Sequence, residues 1–146
     1  MTTPISSHAT LLAVQLTPGG AFTTIAELGD LLPPDLMRNE FDATVHNRNI
    51  DSYVLGVLRR GAMTLPINFI PGDNTHDHLT GLQYLLLQNT VTGFRVIFPD
   101  AGTTTWIMSG QVKSFQPKTP VDGKLAADVT LRFSGLMTIG GVTIGT

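Results

Sequence analysis

The residues best equipped for chemistry stand together at His76-Asp77-His78. Two imidazoles and a carboxylate are zinc-type ligands. The chain around them predicts a helix opening at Asn74 or Thr75, good N-cap residues, with Asp77 in the first turn where the helix dipole favours negative charge. Histidines two apart on a helix point to different sides, whereas a helical metal pair uses i, i+4 spacing. The triplet therefore reads as a polar helix start on a solvated face. His8 falls near the terminus and His46 in a polar loop tip. No G-x-S-x-G elbow, Walker loop or G-x-G-x-x-G is present. Asp42 and Asp51 flank a loop and Asp122 sits in a turn, the ordinary place for such acids. Nothing assembles a nucleophile, base or cofactor site. The expectation is a protein that is not an enzyme, with no catalytic residue, cofactor or metal.

Composition narrows the class further. The 146 residues suit one domain with one core. Charged residues are 14%, against about 25% in ordinary soluble domains, which fits a surface buried by a partner, where charge is depleted, and equally a small β protein with many Thr and Gly positions. The net charge of −2 lacks the basic excess of a phosphate-gripping protein. Trp106 is followed by Ile107, Met108 and Ser109 rather than by basic residues, so it reads as core rather than a base-stacking platform. With no cysteine, disulfides and thiolate sites are excluded. No apolar run approaches the ~20 residues that span a bilayer, and the first residues show no basic region before an apolar stretch, so neither membrane nor secretory signal is expected.

The elements that position these residues are mostly strands. Leu12, Val14 and Leu16 alternate before the turn Pro18-Gly19-Gly20, and Phe22 to Leu28 predicts the return strand. Leu31-Leu32-Pro33-Pro34 breaks regular structure. Glu40 to Val45 reads as extended, His46-Asn47-Arg48-Asn49 as a loop tip, and Ile50 to Arg60 fits either a short helix or a strand. Met63, Leu65, Ile67 and Phe69 alternate, with Pro66 marking an edge or a bulge. Leu79, Leu82 and Leu86 give the helix an apolar stripe that should pack on the sheet, as far as Gln88-Asn89. Phe94, Val96 and Phe98 lead to the turn Pro99-Asp100-Ala101-Gly102. Thr104 to Phe115 is a long strand, Pro117 to Gly123 a connection, and Leu125 to Phe133 the cleanest alternation. Trp106, Phe98, Leu131 and Phe133 are expected in the core. The fold expected is mainly β, a β-sandwich or barrel with one flanking α-helix, as a single domain over 1–146 with flexible segments at about 1–8 and 136–146.

One order of elements carries a resemblance. Phe41-Asp42-Ala43-Thr44 precedes the polar loop. Tyr53-Val54-Leu55-Gly56, Gly61 and Thr64-Leu65-Pro66-Ile67-Asn68-Phe69 follow, then the leucine helix. After it come Phe94 to Phe98, Pro99-Asp100-Ala101-Gly102, and Trp106-Ile107-Met108-Ser109-Gly110-Gln111-Val112. This resembles the major tail tube proteins of long-tailed, lambda-like phages over roughly Phe41 to Phe133. The resemblance implies a structural virion protein of the tail, made in the host bacterial cytoplasm. It implies self-assembly into stacked hexameric rings, a hollow tube through which DNA passes without specific binding. It implies contacts with tape measure, tail tip and tail terminator proteins. It also implies that the loop holding Asp42, His46, Asn47, Arg48 and Asn49 reaches toward the next ring, with Arg48 suited to a carboxylate there. Two other readings stand beside it: the tube of a contractile tail or secretion device, and a monomeric β-sandwich ligand-binding module.

Overall fold

A computed structural model describes residues 4–6 and 8–144. The strands are β1 (Leu11–Gln15), β2 (Phe22–Thr24), β3 (Leu36–Asp42), β4 (Tyr53–Arg60), β5 (Met63–Asn68), β6 (Thr92–Ile97), β7 (Thr105–Lys118), β8 (Ala126–Ile139) and β9 (Val142–Ile144). One helix, α1 (Leu82–Leu87), lies between β5 and β6. Seven strands form one antiparallel sheet in the order β2-β1-β6-β7-β8-β5, with β9 also paired to β8. The other two, β3 and β4, form a separate hairpin. The expected mainly β fold with one flanking helix is thus present, as a curled sheet.

The alternating residues supply the core. Leu12, Val14, Leu65, Phe94, Val96, Met108, Val129 and Leu131 are buried in one cluster with Leu82 and Leu85 of α1. At its centre Phe94 of β6 and Phe133 of β8 meet edge to face, 5.8 Å apart, across the intervening β7. Gly110 of β7 makes this possible. A Cβ there would stand 2.6 Å from Phe133 Cδ1 and 2.7 Å from the Arg132 carbonyl oxygen. Leu131 and Phe133 are buried as expected, whereas Phe98 and Trp106 are only partly so and stack edge to face at the margin.

The prolines keep to strand positions that tolerate a missing donor. Pro66 lies in β5, the sheet edge. Its second half is covered: Gly29 N–H donates to Pro66 O at 2.8 Å, and Asn68 N–H to Glu27 O at 2.9 Å. Pro117, expected in a connection, is inside β7 opposite Ala127, where β6 no longer runs alongside.

Several boundaries differ from the sequence expectation or are settled by the structure, and the extended stretch expected from Glu40 to Val45 is instead the strand Leu36–Asp42. The return strand is only Phe22–Thr24, because Leu28 leaves to bridge Ile67. The ambiguous segment before Gly61 is strand from Tyr53. The helix is six residues long and capped by Gly81 rather than by Asn74 or Thr75. The reason is competition from local side-chain bonds. Asp73 Oδ1 accepts from Thr75 N–H at 2.8 Å, and Asp77 Oδ1 from Thr80 N–H at 2.8 Å, so residues 71–80 close as successive turns. Leu79 is consequently exposed, and the buried stripe is Leu82 and Leu85 with Leu86 half-buried. Gly81 packs on these turns, where a Cβ would meet the His76 and Asp77 nitrogens at 2.6 and 2.5 Å. Finally, the segment expected to be a flexible tail from about 136 continues β8 to Ile139 and returns as β9. Gly140 and Gly141, both at positive φ, make the two-residue turn that antiparallel strands favour. Residues 145–146, and 1–3 and 7 of the other expected flexible segment, lie outside the described residues.

Candidate assembly surface

The histidine triplet does not build a metal site. His76 is fully buried. Its Nε2 donates to Ala26 O at 2.8 Å and its Nδ1 accepts from Ile70 N–H at 3.2 Å. A carbonyl only accepts, which fixes the role of each ring nitrogen. The imidazole thus ties the loop after β2 to the end of β5, and the expectation of a solvated His76 is corrected. His78 faces solvent. Among the described residues no group of three or more His, Cys, Asp or Glu is placed to hold a metal ion. Nor is any helix long and apolar enough to cross a membrane.

The feature without a partner in the monomer is the β3–β4 hairpin. Its strands pair from Leu36↔Arg60 to Asp42↔Tyr53, with a bulge between Arg38 and Glu40. Beyond Leu36, which packs against the core, no second layer among the described residues covers it, and both faces expose apolar side chains. Phe41 is 57% exposed, Val54 55%, Leu55 62% and Val57 73%. On one face Phe41 pairs with Val54, and the Phe41 ring lies over Gly56. On the other, Glu40 pairs with Leu55 and Asp42 with Tyr53, and the bulge interrupts this alternation before Leu58. Burying such side chains is worth about 1.5–3 kcal/mol each. A hairpin this apolar is a surface awaiting cover.

At its far end the loop is tied at the neck. Ala43 N–H donates to Ser52 O at 2.7 Å, and Ser52 N–H to the Thr44 hydroxyl at 3.0 Å. Asp42, the last residue of β3, accepts from Thr44 N–H at 2.9 Å. The Thr44 hydroxyl, then this N–H, hold its carboxyl below the usual value. Beyond the neck, His46, Asn47, Arg48 and Asn49 are all exposed around a turn closed by Arg48 N–H to Val45 O at 3.2 Å. The structure therefore places all five sequence-selected residues at one tip. The strand residues Phe41, Tyr53, Val54, Leu55 and Val57 were missed as surface residues. Their signal was present: Tyr53 to Leu58 is apolar without alternation, so it has no polar face to turn outward.

The family model described as "Lambda phage tail tube protein, TTP" matches residues 7–140. No curated protein matches the chain. Among solved structures, the tail of an empty gene transfer agent particle, with C6 symmetry, superposes with a TM-score of 0.76 at 19% identity, covering 93% of this chain and 98% of that one. The six-fold symmetrised baseplate of the anti-feeding prophage gives 0.67 at 15% identity, covering 97% and 99%. The sheath-tube complex of an extracellular contractile injection system, in its extended state, gives 0.68 at 12% identity, covering 93% and 92%.

Proposed function

The chain belongs to the lambda phage tail tube protein family, a structural component of the tail, and from that premise we propose that it forms hexameric rings that stack into a hollow tube. The observation that carries the reading is the β3–β4 hairpin, whose apolar faces have no cover within one chain. The six-fold symmetry of the neighbouring assemblies supports the ring number. Head-to-tail contacts that close make a ring, and those that repeat make a stack.

In this reading the protein is a scaffold and not an enzyme, and needs no cofactor. The exposed tip of Asp42, His46, Asn47, Arg48 and Asn49 reaches the adjacent ring. Polar groups there keep the free subunit soluble and set register more than affinity. Arg48 offers a planar fork to a carboxylate across that contact. DNA passes without specific binding, in keeping with a net charge of −2. Tape measure, tail tip and tail terminator proteins complete the set of partners. The tube of a contractile device is a second reading, favoured by the fold shared with the sheath-tube complex.

Replacing residues 46–49 with Gly-Ser tests the tip. The fold should survive by circular dichroism, while electron microscopy shows single rings in place of tubes. Full-length tubes from this variant would move the ring-to-ring contact elsewhere. A wild-type chain that stays monomeric at millimolar concentration would remove the tube reading itself.

A further inference from the structure

At the base of the hairpin lies a groove of about 680 Å³ whose walls include Arg38, Arg59, Arg60 and Arg132. These are four of the chain's nine basic residues, yet no acidic side chain lines the groove. It follows a gap in the sheet. Along its outer edge β8 is paired by β5 up to Leu131 and by β9 from Met137 onward, leaving 132–136 open between them. Arg60 reaches into this gap and donates to Gly135 O at 2.5 Å, while Arg38 donates to Gly56 O at 2.9 Å. Arg59 and Arg132 are exposed, and neither forms an ion pair among the described residues.

The matching charge stands at the other end of the same hairpin. Glu40, Asp42 and Asp51 gather near the tip, all exposed. The carboxylates of Asp73, Asp77 and Asp100 accept hydrogen bonds from neighbouring threonines, and Asp128 is paired with Lys118. The side chains of Glu40 and Asp51, like those of the exposed Asp30, Asp35 and Asp122 elsewhere on the surface, have no hydrogen bond or ion pair among the described residues. The two poles lie along one hairpin: on β3 Glu40 is three residues from Met37, the partner of Arg59, about 10 Å at ~3.3 Å per residue. A paired hairpin cannot fold its tip back onto its own base, and neither Glu40 nor Asp51 forms an ion pair with these arginines among the described residues.

We propose that the arginine groove of one copy receives the acidic side of the hairpin tip of another, Glu40 and Asp51 facing Arg59 and Arg132, with Arg48 of the same tip left to a carboxylate outside the groove. This rests on the tube reading and specifies its contact. The fit is apolar as well as charged: Val57 and Leu136 stand exposed at the groove and Phe41 and Val54 near the tip. Such a contact uses two different patches of the chain, so it is head-to-tail and propagates. The pairing is partly screened by salt, so assembly weakens as ionic strength rises.

The test reverses each pole. Arg59→Glu with Arg132→Glu should raise the concentration needed for tube formation by about tenfold or more, and so should Glu40→Lys with Asp51→Lys. Mixed one to one, the two variants should form tubes within about threefold of the wild-type concentration, because each tip then meets an opposite groove. Thermal melting verifies that both fold. Arg59→Gln with Arg132→Gln gives a milder version should the reversal unfold the chain. Wild-type tubes together with unaffected single reversals, or a mixture that does not recover, would overturn the pairing alone. Reversed grooves that assemble normally but lose retention of duplex DNA would reassign them to phosphate and also overturn it. A wild type that forms no tubes overturns the tube reading and the pairing together.

Discussion

The ring of Phe41 occupies the space that a side chain at position 56 would need: a Cβ on Gly56 would stand 2.8 Å from Phe41 Cε2. The glycine is there for its neighbour, since its φ is not in the left-handed region. It lets an aromatic ring lie flat across the hairpin.

Gly56→Ala should therefore displace Phe41 without disturbing the core. The ring edge is exposed and can swing aside, so the melting temperature should change little. Tube formation, followed by light scattering, should fall. Equal assembly by the variant would mean that Phe41 contributes nothing to the contact.

Gly110→Ala should behave in the opposite way. Its Cβ would meet the backbone carbonyl of Arg132 as well as the Phe133 ring. Backbone cannot swing aside, and overpacking of this kind costs about 1–3 kcal/mol. Phe133→Ala, which empties the same spot, should cost about 3–5 kcal/mol. Urea unfolding of the two variants measures both, and wild-type midpoints would refute the proposed packing.

His76→Leu should destabilise the chain by about 1–3 kcal/mol. It leaves Ala26 O and Ile70 N–H, both in a partly buried site, without the imidazole that joins them. Chemical denaturation gives the number. A neutral substitution would show that water replaces the imidazole.

Acid should loosen the turn after β6. Asp100 accepts from the Thr104 hydroxyl and from its N–H, both at 2.6 Å, and these bonds, in that order, hold its carboxyl below the ordinary value of 3.8. A depressed carboxylate contributes stability that is complete above the unfolded value and disappears as pH falls through the folded one. Asp100→Ala should thus lower the melting temperature at neutral pH, and the gap to wild type should close below about pH 3.8. A gap that persists in strong acid would assign the effect to packing.

Much of this was legible in the sequence because alternation is a local signal. Met63, Leu65 and Ile67, or Val129, Leu131 and Phe133, announce both a strand and its buried face. The tip residues were legible for a similar reason: His46 to Asn49 cannot be buried without cost. What was not legible depends on distant partners. The helix start expected at Asn74 or Thr75 lost to Asp73 and Asp77, which satisfy nearby backbone groups within turns. His76 looked solvated because its two acceptor and donor partners lie 50 and 6 residues away. The arginine groove joins β3, β4 and β8, and the sequence showed only Arg59-Arg60 side by side.

The strap of Glu27 to Gly29 along β5 has a further consequence. A naked strand edge is a template on which identical chains pile up without order. Here the Pro66 to Asn68 part of that margin is already occupied, and Pro66 offers no N–H to a newcomer. Copies can thus be stockpiled at high concentration without curdling on this side, and the polymer inherits a polarity from whichever margins stay vacant.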